Sequence, residues 1–121
     1  MEEADALITL GLERMIQSDT GLLLEKFDSR WEHVEPIGEN RVEPGHLFEY
    51  SWLFSEYLRF NSGSQRHITI KQASDRLFDL GLAYGVSKGF VRDAIHDDGT
   101  QKENSILIWP QTKLCRVLLQ R

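Results

Sequence analysis

From residue 4 to residue 18 apolar side chains recur at three- and four-residue intervals. Leu7, Ile8, Leu12, Met15 and Ile16 form the one-sided stripe of an amphipathic helix. Asp19, Thr20 and Gly21 end that helix, and Gly21 to Phe27 reads as a short extended segment. The stretch after it holds Pro36, Gly38, Asn40, Pro44 and Gly45, a loop long for a compact domain, so residues 28 to 44 are candidates for the rim of a site. From Gly45 to Phe60 the pattern changes. Leu47, Phe48, Tyr50, Trp52, Leu53, Phe54, Tyr57, Leu58 and Phe60 point in nearly every direction around a helical wheel, which predicts a helix buried all round. A polar turn over 61–65 separates it from a second one-sided stripe, Ile70, Ala73, Leu77, Leu80 and Tyr84, typical of an outer helix. Gly89-Phe90-Val91 then leads to Asp97-Asp98-Gly99, a turn signal between two short extended pieces. A last helix starts near Pro110 and runs through Leu114, Val117 and Leu118.

The elements repeat in order: outer helix, glycine with a short apolar segment, turn-rich loop, proline-initiated helix. Gly21 answers to Gly89 and Pro44 to Pro110, a period of about 67 residues. A helical hairpin repeated at that spacing buries its apolar face only by stacking on its neighbours, in a curved stack or a closed ring. Two repeats are present, and neither Met1 nor Gln120-Arg121 reads as a cap. The expectation is an all-α, single partial domain over 1–121, an internal piece of a longer one.

Composition narrows the function classes. With 40% hydrophobic and 27% charged residues the chain suits one soluble domain that buries about two thirds of its unfolded surface. The net charge of −5 is scattered, and no Lys/Arg run follows a phosphate backbone, which argues against nucleic acid. Apolar runs are too short for a membrane span, and the acidic Met1-Glu2-Glu3 is unlike a secretory leader, so the expected location is the cytoplasm. Cys115 is the only cysteine, which excludes an internal disulfide and a cysteine-based zinc site. The four histidines lack i, i+4 pairing or a short ligand cluster, and no phosphate-cradling glycine loop surrounds Gly81 or Gly89. Neither a metal nor a cofactor is expected.

The most informative stretch is Arg41-Val42-Glu43-Pro44-Gly45-His46-Leu47-Phe48-Glu49-Tyr50-Ser51-Trp52-Leu53. It resembles the central motif of the N-acylglucosamine 2-epimerase superfamily, which includes mannose isomerases and cellobiose 2-epimerases: Glu-Pro-Gly-His, two residues, Glu, two residues, Trp-Leu. Gly89-Phe90-Val91, Asp98-Gly99 and Trp109-Pro110-Gln111-Thr112 resemble a second segment of that family, ending in Trp-Pro-Gln-Thr-Glu. The resemblance implies a ring of six helical hairpins, an (α/α) barrel with short β-hairpin-like loops, of which this chain is about a third. It also implies cofactor-independent proton transfer at C2 of a monosaccharide, with mannose–fructose interconversion the best single reading.

That chemistry removes a proton beside a carbonyl and returns it, and a histidine titrating near neutrality suits the task. His46 lies in the first turn of its helix, where the helix dipole disfavours the imidazolium and keeps the ring able to accept a proton. Glu49, one turn on, is placed to orient the imidazole or to accept a sugar hydroxyl. Trp52, roughly 120° around the wheel from His46, and Trp109 correspond to tryptophans that pack on sugar rings in the family. Lys113 stands where the family has Glu, a reversal of charge, and the family's partner histidine falls beyond the segment matching Arg121. The chain thus supplies one base without its partner and is expected to be inactive alone. The plainer readings are a histidine that caps its helix, core roles for the tryptophans, Trp31 above all, and surface positions for His33, His67 and His96. At the level of function, the competing reading is an inactive fragment or small helical interaction module that keeps the motif. Exposed barrel edges are expected to favour self-association.

Overall fold

The computed structural model describes residues 2–103 and 105–121. The reading of the start at Met1 therefore falls partly outside the described residues. Helix α1 (Glu2–Leu10) opens on Glu2, Glu3 and Asp5, carboxylates at the positive end of its dipole. It passes into a π turn over Gly11–Met15 in which the Ile16 amide reaches back to the Gly11 carbonyl at 3.1 Å. Ile16 is already extended (φ −83°, ψ 121°), so the helix stops short of the residue 18 expected from the stripe. The apolar run after Gly21 is fully buried at Leu22, Leu23 and Leu24 and forms isolated bridges, Ile16 to Leu23 and Phe27 to His33, in place of a regular strand.

Strand β1 (Arg41–Val42) leads into α2 (Pro44–Phe60), with Pro44 in the first turn where its missing N–H costs nothing. Helix α3 (His67–Gly85) follows after a turn and lies along α2. Two buried serines stitch them together: Ser51 Oγ donates to the Ser74 carbonyl at 2.8 Å and Ser74 Oγ to the Ser51 carbonyl at 2.6 Å. Strands β2 (Val86–Ser87) and β3 (Phe90–Val91) form a tight antiparallel pair, and β4 (Ile95–His96) pairs with β1, Arg41 opposite His96. The two extended pieces around 90 and 96 thus pair with other partners than each other. Helix α4 (Ile108–Gln120) begins two residues before Pro110 and packs on α2. Gly21 and Gly89, matched in the repeat, share a left-handed backbone (φ 80° and 83°) that other residues adopt only under strain.

The larger core joins Ile8, Leu23, Val42, Leu47, Phe54, Leu58, Ile70, Leu77 and Ile95; a smaller one forms around Phe48, Val91 and Val117. Helix α2 touches both but is not buried all round: Leu53 is 41% and Phe60 70% exposed, because α3 and α4 cover only part of it. Tyr84 and Leu118 likewise end in the open. Trp31 is 43% exposed and does not join the core, since its loop carries it outward. His33 is exposed, whereas His67 and His96 are half-buried with Nδ1 enclosed. Among the described residues no helix is long and apolar enough to cross a membrane.

Candidate active site

The loop ends bring a carboxylate to the start of α2. Leu24 N donates to the Met15 carbonyl at 3.1 Å and Glu25 N to the Arg41 carbonyl at 3.2 Å, which plants Glu25 over the first turn of the helix. There Glu25 Oε1 lies 2.6 Å from His46 Nδ1. A carboxylate only accepts, so Nδ1 carries the proton and Nε2 is the nitrogen that titrates. Nε2 lies 4.0 Å from Glu49 Oε2. Next to Glu43, Arg41 bonds to Glu43 at 3.3 Å and to Glu103 at 2.5 Å.

Helix α4 supplies the other wall. Trp109 tilts on the His46 ring at a centroid distance of 4.9 Å, and Lys113 Nζ donates to Glu49 Oε1 at 2.9 Å. Gln111 fixes this end of α4 by exchanging two hydrogen bonds of 2.8 Å with the Val91 backbone. Gly45 makes the approach possible: a Cβ there would lie 2.5 Å from Trp109 Cζ3, so any other residue would push the indole off the histidine. Two motifs distant in sequence thus meet as one wall, His46 and Glu49 from α2 against Trp109 and Lys113 from α4.

Beside them opens a hollow of about 360 Å³ lined by Glu25, Trp31, His46, Glu49, Tyr50 and Leu53 among others. Among the described residues His46 is the only histidine lining it. Trp52 sits elsewhere, packed on the Phe48–Val117 cluster with the Arg116 guanidinium 4.8 Å above its ring. The hydrogen bond that His46 donates to Glu25 raises the His46 pKa above its ordinary 6.5, outweighing burial, with further help from the charges of Glu25, Glu43 and Glu49. This reverses the electrostatic expectation from the helix dipole, because a contacting carboxylate acts at shorter range than the helix terminus. Burial first, and Glu25 and Glu49 after it, hold the Tyr50 phenol protonated as a hydrogen-bond donor.

Glu25, Glu43 and His46 also bring three ligand atoms within 4.8 Å of one another, a grouping that sequence spacing did not reveal because Glu25 comes from a separate segment. A cation there would have to displace the proton shared by His46 and Glu25 and compete with Arg41 for Glu43. Glu25 itself went unnoticed in the sequence. Its signal was a lone carboxylate closing the run Gly21-Leu22-Leu23-Leu24, a charge drawn against the core.

Comparison with known proteins agrees with both motifs. The chain is 29% identical over 119 residues to a mannose-6-phosphate isomerase of Rhizobium meliloti (strain 1021), a match that covers 97% of this chain and 30% of that protein. The chain therefore spans just under a third of the length of that relative. The family model for N-acylglucosamine 2-epimerase (GlcNAc 2-epimerase) matches residues 1–120. With the His46–Glu49 wall and nearly every residue matched, the chain belongs to the N-acylglucosamine 2-epimerase family.

Proposed function

We propose that this chain carries one of the proton-transfer groups of a sugar isomerase or 2-epimerase, with His46 as the base acting at C2 of a monosaccharide. The observation that carries the reading is the imidazole itself: Nδ1 is tied to Glu25 at 2.6 Å, which leaves Nε2 as the proton acceptor beside the hollow. Nε2 takes the C2 proton of an open-chain aldose, the C–H electron pair forms the C1=C2 double bond as the carbonyl electrons move onto O1, and an enediolate results. Return of the proton to C1, with the O2 proton passing to O1, gives the ketose; return of a proton to the opposite face of C2, with O1 re-forming the carbonyl, gives the epimer. Glu49 and the Tyr50 hydroxyl are the groups placed to meet sugar hydroxyls, and Trp109 steadies the base from behind. Mannose–fructose interconversion is the reaction that the motifs favour, and the name of the Rhizobium relative adds phosphorylated mannose as a second sugar to test. A complete cycle needs a second acid–base group. We place it in a further part of a six-hairpin ring, to which this chain would contribute about two hairpins.

The test is proton NMR of mannose in deuterated water with the chain present. Exchange of the C2 hydrogen that disappears in His46→Asn supports the reading. Exchange that persists in His46→Asn, or its absence with the wild-type chain supplemented by the rest of the ring, overturns it.

A further inference from the structure

The hollow beside His46 has an aromatic wall that neither motif supplies. Asp28 builds a tight turn over 28–32: its Oδ1 accepts from the Arg30 and Glu32 amides at 2.8 and 3.0 Å, and its own amide donates to the Glu32 carbonyl at 2.9 Å. Trp31 closes the turn by donating from its amide to the Asp28 carbonyl at 3.1 Å. The turn holds Trp31 at φ 63°, a left-handed conformation that is a genuine outlier for a bulky residue and persists only where its surroundings enforce it. The effect is to turn a large indole out of the core. It leans on the Phe27 ring at 5.6 Å and 50°, stays 43% exposed, and lines the hollow that holds Glu25, His46 and Glu49. Trp109 is already set against His46, and Trp52 lies under Arg116, outside this hollow.

A flat apolar ring facing carboxylates and a phenol matches one class of ligand well. A sugar presents an apolar C–H face to an indole while its edge hydroxyls donate to carboxylates. We propose that Trp31 is the stacking platform of the site, positioning a monosaccharide so that its C2 faces His46 Nε2. The proposal rests on the functional reading above for the identity of the base. It adds a substrate-positioning residue outside both motifs.

The test uses the full chain labelled with 5-fluorotryptophan, whose three tryptophan signals are assigned through Trp31→Phe, and titrates D-mannose and D-fructose by fluorine NMR. The Trp31 signal is expected to shift on sugar addition, in the wild-type chain and in His46→Asn alike. Trp31→Ala is expected to weaken sugar binding by about tenfold, as loss of an aromatic contact worth on the order of 1.4 kcal/mol would, and Trp31→Phe by no more than about threefold. Sugar binding that leaves the Trp31 signal unmoved, binding to Trp31→Ala as tight as to the wild-type chain, or no sugar binding in any arm overturns the proposal. If the Trp31 signal moves but the C2 hydrogen does not exchange even when the rest of the ring is supplied, the platform stands and the assignment of His46 as base falls. The shift itself is read on the wild-type chain, and Trp31→Phe serves only to assign it.

Discussion

A histidine whose proton is shared with a carboxylate behaves differently from one that merely begins a helix. The hydrogen bond to Glu25 favours the imidazolium of His46 and raises its pKa above the ordinary 6.5. The sign follows from linkage: a raised folded-state value stabilises the fold fully below the unfolded pKa, and that contribution is lost as pH rises through the folded value. Glu25→Gln is therefore expected to cost on the order of 1 kcal/mol near pH 5.5, about 4 °C in Tm, and far less near pH 9, which thermal melts at the two pH values will show. In the same variant the alkaline-rising limb of any C2-exchange activity is expected to move to lower pH. A uniform loss at all pH values would mean that Glu25 acts only through packing. His46, Glu49 and Trp109 were legible because a motif carries them at fixed local spacing. Glu25 was not, since it stands 21 residues upstream and meets His46 only through the fold. Trp31 was misread for a related reason: hydrophobicity predicts burial, whereas the Asp28 turn decides where that ring points.

Among the elements, the helices were read well because each carries its own period; the β1–β4 pair was not, because its partners lie far apart in sequence, and the β2–β3 pair was not, because two-residue strands are too short to show an alternation. Helix α2 shows the boundary of that reading. Its all-round apolarity was plain, yet which side stays uncovered depends on α3 and α4. Polar seams were silent in the sequence, both the Ser51–Ser74 stitch and the buried Asp97 that organises the long loop. Asp97 accepts from the amides of Gly38 and Asn40 at 2.7 and 3.1 Å, from Asn40 Nδ2 at 3.0 Å and from Gln17 at 3.3 Å. Asp97→Ala takes the acceptor from the buried Asn40 amide and the half-buried Gly38 amide and is expected to cost about 3 kcal/mol by chemical denaturation. Hydrogen exchange at the Gly38 and Asn40 amides should accelerate along with it. Unchanged exchange there would show that the pairing of β1 with β4 alone holds the loop.

For the molecule as a whole, the repeat read from Gly21/Gly89 and Pro44/Pro110 has a structural counterpart in the shared left-handed glycines and the two proline-bearing helix starts. The ring that the repeat implies is a proposal, because four helices fix only a short arc. What the arc leaves open is an apolar groove of about 690 Å³ between α1 and α2, where Leu7, Leu53 and Phe60 stand exposed. Apolar surface gathered in this way is expected to associate. Sedimentation of the chain at rising concentration should show dimers or larger species, and Leu7→Lys with Phe60→Glu should return it to the monomer. A monomer at all concentrations would mean that the groove closes on itself. The Lys113–Glu49 bridge carries a last consequence: it ties α4 to α2 through the very carboxylate that a hydroxyl would need. A hydroxyl accepted by Glu49 would therefore share that carboxylate with an internal cation. Added salt, by screening that internal bond, should ease the exchange and tighten the hold on an uncharged guest where salt normally loosens charged ones.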